Sequence, residues 1–221
     1  MMKLDMHVHS EYSIDGKVPV ADAIKAALKV GLSGLCLADH NCAKGNIEAR
    51  RTAPKDFIVV SGCEVSSAEG HILCYGTDSA IERALGIAET IERIHDAGGI
   101  AVAAHPFRLQ HGIGGGAIRK YKFDGIETFN ARNMLPGSNT RAAAAAKELN
   151  VGKTGGSDAH ISRHIGLGYI TVEGVASADD IIDAIKKGRT GAGGAGISFG
   201  DGIRSMGLSF WEWISREGKR I

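Results

Sequence analysis

The chain of 221 residues is long enough for one barrel-sized domain with a sizeable core, and its 43% hydrophobic and 23% charged content is that of a soluble globular protein. A formal net charge of +1, from 26 basic and 25 acidic residues, excludes a global field that recruits nucleic acid or acidic membrane. No apolar run reaches the roughly 18 residues of a membrane span, the start MMKLDMHVHS has no signal-peptide apolar region, and Cys36, Cys42, Cys63 and Cys74 form no C-x-x-C pair, so a cytoplasmic protein with reduced thiols is expected.

Lys3–Val8 alternates and reads as a strand, and Val20–Val30 carries apolar residues at helical spacing until Gly31 stops it. Gly34–Asp39 follows as a strand, Asn46–Arg51 as a short helix, Phe57–Val65 as one strand of buried character and His71–Gly76 as another. A long helix over Ile81–Ala97 ends at Gly98 and Gly99. Beyond it come strands at Ile100–His105 and Gly125–Asn130, an alanine-rich helix at Thr140–Leu149, extended segments at Val151–Asp158 and Ile165–Val172, and a helix at Ala178–Lys187. This alternation predicts an α/β fold with mostly parallel strands, a barrel or a doubly wound sheet, in one domain spanning residues 1–221.

Ligand-type residues fall where such folds assemble their sites. His7, His40, Glu64, His105 and Asp158 each lie at the carboxyl end of a predicted strand, so five strands deliver them to one rim. His71 begins its strand instead. A hairpin through Ser66–Gly70 would return that beginning to the side of Glu64. Two-residue spacing turns Asp5, His7 and His9 to one face of their strand, and Asp158 and His160 share the same relation. Six converging imidazoles with carboxylates point to a multinuclear metal site. Asp5, Asp39 and Ser157 stand beside ligand positions and are expected either to orient them or to bind backbone. His95, late in a helix where a cation suits the dipole, reads as structural, while His111 and His164 are loop residues near the rim.

The ordered set DMHVHS, SIDG, LADH, GCEVS, GHIL, AHP and GSDAH, spread from Asp5 to His160, resembles the polymerase and histidinol phosphatase (PHP) superfamily. The resemblance implies a distorted seven-stranded (β/α)7 TIM-like barrel with a trinuclear metal centre at its mouth. It implies that His7, His9, Glu64 and Asp158 hold one ion, that Glu64 bridges to a second held by His71 and His105, and that Asp15, His40 and His160 surround a third. Asp15 stands where family members carry His or Asp.

Imidazole and carboxylate ligands suit zinc, manganese or iron. Three divalent ions would exceed the charge of Asp15, Glu64 and Asp158 by about three, which suits a phosphate dianion and a bridging hydroxide. The expected reaction is hydrolysis of a small phosphomonoester or nucleotide by a metal-bound hydroxide, with His7, His9, Asp158 and His160 as the catalytic set. Arg108, just after His-Pro as in similar phosphatases, and Arg132 are expected to bind the substrate phosphate. A nuclease and a non-catalytic, metal-stabilised partner domain are the alternative readings. No nucleic acid or membrane partner is indicated, and the oligomeric state is not written in the sequence.

Two glycine-rich runs are set aside. Gly191–Gly196 matches G-x-G-x-x-G but follows a helix with too little chain beyond it for a dinucleotide unit, so a flexible loop is expected; His111–Gly116 lacks the Lys-Ser/Thr ending of a phosphate-binding loop and is expected to form a mobile loop over the mouth. The segment 190–221 is expected to dock on the barrel, with Leu208–Ile221 as an amphipathic helix.

Overall fold

A computed structural model describes residues 1–198 and 200–202. Strands β1 (Met2–Val8), β2 (Gly34–Leu37) and β3 (Ile58–Val59) run parallel, while β9 (Gly168–Val172) and β10 (Gly191–Gly194) continue the sheet antiparallel in the order β10-β9-β1-β2-β3. A second sheet has the order β4-β5-β6-β7-β8. In it β4 (Gly62–Ser66), β5 (His71–Tyr75) and β6 (Ile100–Ala103) are antiparallel, and β6, β7 (Gly125–Asn130) and β8 (Gly152–Gly156) are parallel.

The sheets meet along two margins. At one, the His9 amide donates to the Ala159 carbonyl over 2.9 Å and the Asp158 amide to the His7 carbonyl over 2.6 Å. At the other, His40 bridges to Glu64, and the Asn41 amide donates to the Glu64 carbonyl. Asn46, on helix α2 (Lys44–Thr52), pins this second margin. Its carboxamide accepts from the Leu37 amide and donates to the carbonyls of Leu37 and Gly62, each at 2.8 Å. The space enclosed is filled by Leu4, Met6, Leu73, Tyr75, Ile100, Val102 and Ile170, all fully buried, at about 1.5–3 kcal/mol for each large apolar side chain removed from water. The Tyr75 hydroxyl crosses it to donate to the Met6 carbonyl at 2.8 Å.

Helices cover the outside. α1 (Val20–Lys29) buries Val20, Ala23, Ile24 and Ala27 against Leu35 and Leu37; α3 (Ile87–Asp96) and α5 (Ser138–Leu149) cover the second sheet; α6 (Ala178–Lys186) caps one end through Ile181, Ala184 and Ile185. Ser177 starts α6 with a capping box.

The α/β alternation holds, with four corrections. Parallel and antiparallel pairings are equally frequent rather than mostly parallel. The expected strand Phe57–Val65 divides into β3 and β4, which belong to different sheets, because Val60 and Ser61 carry the chain across the gap between them. α3 begins at Ile87 and not Ile81, since Ala84 and Leu85 are bonded to the hairpin backbone at Ser66 and Ala68. Neither glycine run is wholly loop. Gly191–Gly194 is β10, an edge strand on β9, and Gly114–Lys120 forms helix α4. The expected helix Leu208–Ile221 lies outside the described residues; upstream of it, the Ala195 and Ile197 amides bind the carbonyls of Leu167 and Ala131.

Candidate metal centre

Local backbone geometry explains why the imidazoles converge. His7 and His9 project from the end of β1 to one side, their Nε2 atoms 3.2 Å apart. Glu64 is the middle residue of β4. In the β4–β5 hairpin Ser66 pairs with His71, so Glu64 and His71 are diagonal neighbours on one face and His71 Nδ1 reaches Glu64 Oε1 at 2.9 Å. His105 Nε2 meets the same oxygen at 2.9 Å, while His7 and His9 Nε2 lie 3.3 and 3.4 Å from Oε2. Asp15, from the loop after β1, stands 2.8 Å from His160 Nε2 and 3.5 Å from His40 Nε2. His105 and Asp158 adopt φ of 27° and 54°, conformations uncommon for residues other than glycine.

All nine expected ligands thus come together. Their donor atoms form five overlapping triads, each within 4.8 Å: His7-His105-Asp158, His7-His9-Glu64, His9-Asp158-His160, His9-Asp15-His40 and His40-Glu64-His71. Three buried ring nitrogens of these ligands, His40 Nδ1, His71 Nε2 and His105 Nδ1, have no hydrogen-bond partner among the described residues. Buried polar atoms are rarely left so. A donor set of imidazole nitrogens and carboxylate oxygens without thiolate fits divalent ions of the zinc, manganese and iron class.

The electrostatics of the site keep Asp158 charged and His71 neutral. Burial alone would push the Asp158 carboxyl up, but the guanidinium charges of Arg108 and Arg132 outweigh it and hold it well below the usual carboxylate range. Burial drives the His71 imidazole down to about 3, which leaves it neutral and able to act as a ligand. Arg108 and Arg132 both reach the centre, and both turn onto Asp158: Arg108 Nη1 is 2.8 Å from Oδ2 and Arg132 Nη1 is 3.3 Å from Oδ1. Arg132 also lies against the His160 ring, 2.9 Å from Nδ1.

The neighbours Asp5 and Asp39 bind backbone. Asp5 accepts from the amides of His7, Ser157 and Gly166, and Asp39 from the amide and hydroxyl of Ser10. His95 bonds Asp124 on the surface and His164 faces Asp201, both away from the triads. His111 comes closer than its loop position indicated: its ring stacks on His71 at 4.5 Å between centroids. Sequence reasoning missed Glu127, fully buried on β7 with Oε1 2.9 Å from His7 Nδ1. A carboxylate inside the otherwise uncharged strand GIETFN was the available signal.

The chain is similar to several known proteins. Residues 136–190 match a family model described as PHP-associated. An uncharacterized protein of Methanocaldococcus jannaschii, MJ1587, is 33% identical over 141 residues, covering 59% of this chain and 82% of that protein. Among solved structures, a two-domain protein from Bacteroides vulgatus containing a predicted PHP-like metal-dependent phosphoesterase is similar with a TM-score of 0.72 at 20% identity, covering 88% of this chain and 65% of that one. A lesion-specific endonuclease from Pyrococcus furiosus is similar with a TM-score of 0.61 at 17% identity, covering 89% of this chain and 59% of that one.

Proposed function

The chain belongs to the PHP superfamily, and from that premise we propose that it is a metal-dependent hydrolase of phosphate esters whose substrate is a small phosphomonoester or nucleotide. The observation that carries the reading is the set of five overlapping N/O triads. We read the two abutting sheets as the distorted (β/α)7 barrel, residues 1–221 as one PHP domain, and the mouth as room for up to three ions. His7, His9, Glu64 and Asp158 would hold one; Glu64, His71 and His105 a second; Asp15, His40 and His160 a third. Bound there, divalent ions lower the pKa of water and neutralise charge on the transferring phosphoryl group.

The chain's own groups do the rest. Arg108 and Arg132 stand on either oxygen of Asp158, and their guanidinium charges would attract phosphate oxygens entering beside it. His160, with a side chain 20% exposed against 5% or less for His7, His9, His40 and His105, is the imidazole of the set most open to an entering substrate. The four free thiols suit a reducing, cytoplasmic setting.

A nuclease is the second reading, favoured by the likeness to the Pyrococcus endonuclease. Two observations favour the small substrate. Net charge is only +1, and among the described residues six of the nine exposed large apolar side chains (Tyr12, Ile14, Leu109, Met134, Leu135 and Ile161) sit on the loops that carry Asp15, Arg108, Arg132 and His160. Such a rim suits an organic body better than a tracked polyphosphate backbone. Metal-loaded protein is expected to release phosphate from members of a panel of phosphomonoesters and nucleotides, and to leave labelled single- and double-stranded oligonucleotides intact. Oligonucleotide cleavage without phosphate release from any monoester would overturn the small-substrate reading.

A further inference from the structure

Behind the metal-facing residues lies a carboxylate that belongs to none of the five triads. Glu127 is fully buried on β7, and both of its oxygens are used. Oε1 meets His7 Nδ1 at 2.9 Å; Oε2 accepts from the His105 amide at 2.8 Å and from Asn130 Nδ2 at 3.1 Å. The same Asn130 nitrogen donates to Asp158 Oδ2 at 3.2 Å, and Asn130 Oδ1 accepts from the Arg132 amide at 2.9 Å. One buried side chain is thereby tied to β1, to the turn after β6, and through Asn130 to the loop after β8.

The geometry points to Glu127 as a positioning residue of the metal centre, one that fixes the His7 ring and the His105 backbone in their ligand poses. The step rests on the metal-centre reading above. A carboxylate on Nδ1 selects the tautomer with hydrogen at Nδ1 and leaves the Nε2 lone pair for an ion. His7 Nε2 is the atom that faces His9, Glu64 and Asp158. At His105 the bond acts on the backbone. That residue holds a φ of 27°, which persists only where surrounding contacts enforce it, and the hydrogen bond from its amide to Glu127 is such a contact. A carboxylate serving only to fill the core would not have to meet two candidate ligands from two strands with different oxygens.

Glu127→Gln tests this with little change of volume. Its amide keeps one acceptor and turns a donor to the other partner, so the Nδ1–H of His7 and the amide of His105 can no longer both find an acceptor there. Metal-free protein would be titrated with Mn2+ and Zn2+ by calorimetry, and the Co2+-substituted form followed by visible absorption, alongside thermal melts of the ion-free forms. Ser177→Ala, which removes the distant capping box of α6, serves as a control for general loss of stability. We expect Glu127→Gln to fold, to bind ions about 10- to 100-fold more weakly, and to shift the Co2+ bands, while Ser177→Ala lowers the melting temperature with affinity and bands unchanged. Parental affinity and an unchanged Co2+ spectrum in folded Glu127→Gln would overturn the assignment of Glu127 alone. Should Glu127→Gln not fold, Asn130→Ala, which frees Oε2 of one partner and leaves the His7 contact in place, is expected to weaken binding by a smaller factor; affinity equal to the parent's would count against the network. A parent protein that binds none of these ions would overturn the metal-centre reading itself.

Discussion

His9 is shared by three of the five triads, more than any other residue of the centre. Burial alone would keep its imidazole neutral, but hydrogen bonds to Asp158 and Glu64 and the charge of Asp15 outweigh burial and push it up to about 10 in the ion-free protein. A proton and an ion compete for that ring, so ion binding at neutral pH must expel the proton, and affinity must rise with pH up to about 10. The sign for stability is the opposite: a raised imidazole stabilises the ion-free fold fully below its ordinary 6.5 and loses that contribution as pH rises through about 10. Calorimetry at pH 7 in buffers of different ionisation enthalpy is expected to show proton release that falls by about one proton in His9→Gln; no release by the parent would contradict the assignment. Arg108 makes a different claim. A charge-assisted bond to phosphate contributes about 1.5–3 kcal/mol, so Arg108→Ala should lower kcat/KM for a phosphomonoester about 10- to 100-fold. A loss below twofold would remove Arg108 from the substrate. These residues were legible in the sequence because histidine and arginine carry chemistry that packing rarely needs at strand ends. Glu127 was not: from one strand's letters a buried carboxylate looks like any other, and only the fold brings it behind His7.

At the scale of elements, the centre depends on β8 lying tightly on β1. A Cβ on Gly156 would stand 2.3 Å from His7 Cβ and 2.6 Å from its backbone nitrogen, and one on Gly168 would stand 2.0 Å from the Gly156 carbonyl oxygen. Neither neighbour is a flexible side-chain tip, so Gly156→Ala must push β8 away from β1 at the point where His7 emerges. Overpacking of this kind costs about 1–3 kcal/mol, and here it also moves a ligand. Denaturant unfolding should register that loss, and ion affinity should fall with it; a variant matching the parent in both would mean that the seam is looser than described. The β4–β5 hairpin that aligns Glu64 with His71 could be inferred from the short Ser66–Gly70 link. The break between β3 and β4 could not, because Phe57–Val65 reads as one extended run of buried character and periodicity cannot show that such a run changes sheets. β10 was hidden for the converse reason: GAGG has no side-chain pattern, and its pairing with β9 is carried by backbone alone.

At the scale of the whole molecule, the charge and apolar surface of the described residues fit the proposed small substrate better than a tracked nucleic acid. Basic and acidic residues nearly balance. Of the arginines near the mouth, Arg108 and Arg132 are turned inward onto Asp158 and Arg163 is paired with Asp201, while the outward-facing positions of the same loops include Ile14, Leu109 and Ile161. Under the proposed function, a substrate held there would contribute a single phosphate to the ions and arginines and lay its organic part against apolar side chains. Its binding therefore displaces few counterions, whereas a protein contacting six to ten backbone phosphates loses about 10^3- to 10^5-fold in affinity between 50 and 200 mM salt. For this protein, KM for its best phosphomonoester is expected to change by less than about tenfold over that range, since the one charged contact is buried and weakly screened. Steady-state kinetics at graded KCl, with ion content held constant, measures it. Replacing Leu109 and Ile161 by Ser should raise KM at every salt concentration without altering that shallow slope, because their contribution is removal of apolar area from water, at about 25 cal/mol per Å², and carries no charge. A steep salt dependence that persists in the serine variants would return the balance to an extended, polyanionic substrate.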